Sequence, residues 1–79
     1  MNKEEKTMFA KNFYEKIGLE NYDLKNNRDD EINADYFYVS DMRGPGGLII
    51  GDDGSYLFCQ SAHDYSYYKE EYKKGVRSN

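Results

Sequence analysis

Two short apolar runs, Leu48-Ile49-Ile50 and Tyr56-Leu57-Phe58-Cys59, are separated only by Gly51-Asp52-Asp53-Gly54-Ser55. No other feature of the chain limits its fold so tightly. Runs this short, rich in β-branched and aromatic residues, read as strands between turn signals. Asp52 and Asp53 suit a type I turn, and Gly54 suits the left-handed position of the bulge that follows. The spacing therefore predicts a β-hairpin with strands over about 47–51 and 55–60.

A third strand is expected over 35–40. Tyr36 and Tyr38 would face one way and Phe37 and Val39 the other, so both faces are apolar. Such a strand is central, or covered on both sides. Arg43-Gly44-Pro45-Gly46-Gly47 reads as a turn or loop leading into the hairpin.

Helices are expected at the two ends. Phe9, Phe13 and Ile17 make a stripe over about 3–17, with Ala10 and Tyr14 beside it. Glu4 and Glu5 suit the first turn, and Gly18 suits the left-handed residue that ends the helix. Over about 62–74, Tyr65, Tyr68, Tyr72 and Val76 share a stripe, with Ser61 as N-cap and Gly75 as the stop. Residues of about 20–33 carry Asn26-Asn27 and Asp29-Asp30-Glu31 and read as a polar acidic loop, attached through Leu24 and Ile32. The fold expected is α+β, one small domain over 1–79, with a three-stranded antiparallel sheet packed against two helices.

A chain of 79 residues buries only about 60% of the surface its unfolded form exposes, so its core is thin. Nine of its apolar residues are Tyr, each with a hydroxyl that needs a partner. The net charge of −4 disfavours nucleic acid and anionic lipid as partners. The lone Cys59 allows no internal disulfide, and the N-terminal Met-Asn-Lys-Glu-Glu-Lys is followed by no apolar stretch. No run approaches membrane length. The expected address is the cytoplasm.

No catalytic, cofactor-binding or metal-ligating set emerges. Cys59, His63 and Asp64 put a thiol, an imidazole and a carboxylate close in sequence, but without a known signature, and a buried packing cysteine is the better reading. One cysteine and one histidine do not supply the four ligands of structural zinc. The acidic turn lacks the spacing of a calcium loop. Arg43 beside its glycines is the candidate anion contact, although the segment runs into a strand and not into a helix.

The sequence thus names no activity. Its excess of tyrosine favours a non-enzymatic protein-interaction or regulatory module, with an unknown protein partner or self-association as a homodimer. Tyr14, Tyr36, Tyr38 and Tyr67 are the candidate contact residues. A second reading is an acidic inhibitor or immunity-type protein that presents Asp29, Asp30, Glu31, Asp35, Asp41, Asp52 and Asp53 to a basic partner. A third is a small anion-binding domain or enzyme centred on Arg43, Cys59 and His63.

Overall fold

The computed structural model describes residues 1–39, 46–60 and 63–79. Ser61, the expected N-cap, Arg43, the candidate anion contact, Asp41 of the acidic set and Ser40 at the end of the expected 35–40 strand lie outside the described residues. The chain runs α1 (Lys3–Lys16), β1 (Leu24–Asp29), β2 (Ala34–Val39), β3 (Gly47–Gly51), β4 (Tyr56–Cys59) and α2 (Tyr65–Lys73). All four strands join one antiparallel sheet in chain order, β1-β2-β3-β4.

The hairpin forms as its turn residues dictate. Leu48 sits opposite Phe58 and Ile50 opposite Tyr56. The Gly51 N–H donates to the Ser55 carbonyl at 2.8 Å, and Gly54 takes φ +88°. Both helices end as their glycines require. In α1 the Leu19 N–H donates to the Tyr14 carbonyl and the Gly18 N–H to that of Glu15; in α2, Val76 donates to Glu71 and Gly75 to Tyr72. These are paired Schellman bonds, closed around left-handed glycines at φ +91° and +98°.

The first helix starts at Lys3 as expected, whereas the second starts later than expected. Asn2 caps α1: its side chain accepts the Glu5 N–H at 2.8 Å while Glu5 accepts the Asn2 N–H at 2.9 Å, a reciprocal box. In α2 the N-cap is Asp64, whose carboxylate accepts the Tyr67 N–H at 3.1 Å. That helix is accordingly shorter than the span of about 62–74 expected from Ser61 as N-cap and Gly75 as the stop.

The main correction concerns the number of strands: the sheet has four, not three. Leu24–Asp29, expected inside a polar loop, is a strand paired along its length with β2. Its composition, Leu-Lys-Asn-Asn-Arg-Asp, is poor in the residues that favour strands. An edge strand needs only one apolar anchor when backbone bonds and ion pairs hold the remainder, and Leu24 is that anchor.

Strand alternation sorts the core into two layers. Phe37, Val39, Leu48 and Ile50 meet Ala10 and Tyr14 of α1 on one face. Ala34, Ile49, Leu57 and Cys59 meet Tyr72 of α2 on the other. The helices therefore lie on opposite faces of the sheet, and β2 is apolar on both sides for that reason.

The buried stripe of α1 is also rotated from the expected one. Its centre is Lys6, Ala10 and Tyr14, spaced i, i+4 and i+8; Phe9 and Phe13 flank it half-buried, and Ile17 is 49% exposed. Tyr14, a candidate contact residue, is instead fully buried, with its hydroxyl donating to the Gly46 carbonyl at 2.7 Å. An internal acceptor lets a tyrosine take a core position that patterning assigns to the surface.

Candidate interaction surface

Two features stand apart from the packed core: a charged seam at the turn end of the sheet and an aromatic ridge along α2. The turns β1–β2 and β3–β4 lie at the same end, joined by the Asp52 N–H donating to the Asn33 carbonyl at 3.0 Å. Most of the chain's acidic run gathers there.

Cations from three elements meet those carboxylates. Lys6 of α1, 2% exposed, bonds Asp35, 3% exposed, at 2.9 Å and also reaches Asp52. Arg28 of β1 grips both oxygens of Asp52, at 2.8 and 3.0 Å, and Asp30 at 2.9 Å. Lys69 and Lys73 of α2 hold Asp29 and Glu31 at 2.9 and 2.5 Å. The seam thus pairs five carboxylates with four cations while tying α1, β1 and α2 to the turns.

The protonation states follow the contacts. The Arg28 and Lys6 bonds hold the Asp52 carboxyl well below the usual range, and the Tyr65 hydroxyl and Lys69 lower that of Asp29. Glu31 is lowered by Lys73 and Lys69. Burial pulls the Lys6 ammonium down, but its bonds to Asp52 and Asp35 outweigh that and leave it raised.

Acid should therefore unfold the protein in a defined window. These lowered carboxyls bind protons more weakly when folded than when unfolded, so the unfolded chain gains protons first as the pH falls. Their stabilisation is complete above the ordinary carboxyl range, at about pH 5, and is lost progressively as the pH falls through their lower folded pKa values. Thermal melts followed by circular dichroism should show a midpoint that is flat near neutrality and drops steeply below about pH 4. A midpoint unchanged down to pH 2.5 would contradict these assignments.

On the α2 side the aromatics form a graded set. Tyr36 stacks on Tyr38 with centroids 5.4 Å apart, and the Tyr65 ring closes on Tyr36 at 4.5 Å. Gly47 makes this possible, because a Cβ there would stand 2.4 Å from the Tyr36 ring. The Tyr65 hydroxyl donates to Asp29 at 2.6 Å, which fixes the inner end of the set. Tyr36 and Tyr38 are both half-buried.

Further along, the His63 imidazole lies on the Tyr67 ring at 3.9 Å and 19°, with the Tyr68 ring edge-on to Tyr67 at 5.1 Å. Tyr67 is 44% exposed and His63 is exposed, so this stack faces solvent. Of the expected contact residues, the structure thus places Tyr67 outermost, Tyr36 and Tyr38 beneath, and Tyr14 on the opposite side of the sheet. The sequence reading missed His63 as a partner of Tyr67, although their spacing of four residues was a signal.

The Cys59 and His63 side chains are not brought to bear on one another. Cys59 is buried among the α2-side core, its thiol directed at the Leu57 carbonyl at 3.6 Å, and burial pushes it up to about 12. A nucleophilic thiol needs the opposite shift. Among the described residues no group of three metal-ligating side chains occurs, and no helix is long and apolar enough to cross a membrane. No family model, curated protein or solved structure matches this chain.

Proposed function

We propose that this chain is a non-enzymatic interaction module of the cytoplasm that contacts a protein partner, or a second copy of itself, through the aromatic ridge of α2. The observation that carries this reading is the solvent-facing stack of His63 on Tyr67, backed by Tyr68. Aromatic side chains give large contact area at low entropic cost, and they dominate binding energy where they are already held in place. Here the stack is held before any partner arrives: Asp64 caps the first turn beneath it, and Tyr36, Tyr65 and Tyr68 pack on the core under the helix. Tyr38 extends the same side toward the far end of β2.

Sedimentation and affinity capture with the unaltered chain and a Tyr67→Ala variant test this. A removed hot-spot tyrosine should weaken the self-association or the captured complex at least about tenfold, while the melting midpoint moves by less than about 4 °C. Equal association by both chains would overturn the reading.

The acidic-inhibitor reading keeps one observation in its favour, the gathering of Asp29, Asp30, Glu31, Asp35, Asp52 and Asp53 at one end. Five of the six are already ion-paired to Lys6, Arg28, Lys69 or Lys73, and Ser55 donates to Asp53. With most of its carboxylates already paired, this surface offers a basic partner less free charge than its composition suggests. The aromatic ridge is the stronger candidate.

A further inference from the structure

The outer edge of β4 is closed by the polar residues that follow α2. After Gly75 the chain turns back, and the Arg77 guanidinium settles over the Tyr72 ring at 3.4 Å while its Nε donates to the Ser55 hydroxyl at 2.9 Å. From this anchor Ser78 and Asn79 reach the edge. The Ser78 N–H donates to the Tyr56 carbonyl at 2.7 Å, the Phe58 N–H donates to the Ser78 hydroxyl at 2.8 Å, and the Tyr56 N–H donates to the Asn79 side-chain carbonyl at 3.2 Å.

Only the first of these bonds is the backbone pairing of a sheet. The two β4 donors are met by side-chain oxygens, and residues 76–79 form no strand. Ser78 and Asn79 also bring no apolar side chain to the aromatics of this edge. On the α1 side of β4 those are Tyr56 and Phe58, with Phe9 at 4.8 Å from Tyr56 and Phe13 at 5.1 Å from Phe58, all four half-buried. A true strand would give carbonyls to both donors and set alternate side chains against this row.

We propose that the β4 edge is a strand-addition site for an extended partner segment with alternating apolar residues, held closed by Ser78 and Asn79 until that segment displaces them. The anchor at Arg77 stays in place during the exchange. Ser78 and Asn79 belong to no helix or strand, so giving up their bonds to β4 disturbs no regular element. This surface is separate from the α2 ridge, and neither proposal depends on the other.

The test uses a blocked synthetic peptide, Thr-Val-Thr-Val-Thr-Val-Thr, titrated into the 15N-labelled full chain and a Ser78→Ala/Asn79→Ala variant. The variant keeps the Ser78 backbone bond and the Arg77 anchor, so the fold is preserved, and its amide spectrum verifies that. The peptide should bind the variant about tenfold tighter, the scale of two hydrogen bonds no longer given up, with the Tyr56 and Phe58 amides shifting most. A single Asn79→Ala variant should fall between the two. Equal affinities, shifts centred away from β4, or pairing of two variant chains in place of peptide binding would each overturn the proposal.

Discussion

A Lys6→Met variant is expected to lose about 3–5 kcal/mol of unfolding free energy, which lowers the melting midpoint by roughly 15–30 °C. The methionine fills most of the lysine's space, so the loss does not come from a cavity. It comes from Asp35, which is left 3% exposed on the central strand with its principal counter-charge gone. Arg28 stands 3.8 Å from that carboxylate and is already committed to Asp52 and Asp30, so it cannot take over. A domain of 79 residues has a total stability of about 4–12 kcal/mol, so the loss is a large share of the whole.

The sign of this effect separates two accounts of the pair. If the unpaired charge is what costs, then a Lys6→Met/Asp35→Val double variant should recover most of the loss, since an apolar pair of similar volume replaces a buried ion pair at little cost. Asp52 keeps Arg28 in that variant. Urea unfolding of the three chains reads the difference directly. A single variant within about 1 kcal/mol of the unaltered chain would show that Asp35 escapes to water, and with it the burial argument falls.

The second large effect is expected at Gly46. An alanine there would place its Cβ 1.9 Å from the Cys59 backbone oxygen, in a residue held at φ +113°. The obstacle is backbone, which unlike a side-chain end cannot swing aside. Strain and overlap together should cost about 3–5 kcal/mol, and the Tyr14 hydroxyl would lose its fixed acceptor at the Gly46 carbonyl. Gly54→Ala is the matched control, because its φ is similar, at +88°, and nothing stands within 4 Å of its Cβ. It should cost only about 1–2 kcal/mol. Equal losses from the two substitutions would locate the whole effect in backbone angle and remove the close approach from the account.

What could be read from the chain before its structure divides along a physical line. The β3–β4 hairpin and the two glycine-terminated helix ends depend on residues within a few positions of one another, and the sequence shows such dependence directly. The two-sided apolarity of β2 likewise announced a layer on each face. Strand β1 and the buried Lys6 depend on partners far away in the chain. Arg28 and Lys6 acquire their meaning from Asp35 and Asp52, and Asn26 faces Phe37 only because β1 pairs with β2. Composition scores Lys6 as solvent-facing, and the carboxylate partners that reverse that score are invisible until the sheet exists. The aromatic ridge lies between these cases: the helical stripe put Tyr67 outward, while its stacking on His63 depended on where α2 begins.

The order of strands in the sheet carries a consequence for assembly. Each strand neighbours the one before it, so the sheet can grow by successive short closures without bringing distant parts of the chain together. The costly closure is the docking of the first helix, whose Lys6 must find Asp35 and Asp52 at sequence separations of 29 and 46. The ammonium that completes this docking is the same group that relieves a stranded carboxylate, so one side chain both fastens the helix to the sheet and makes the buried charge tolerable.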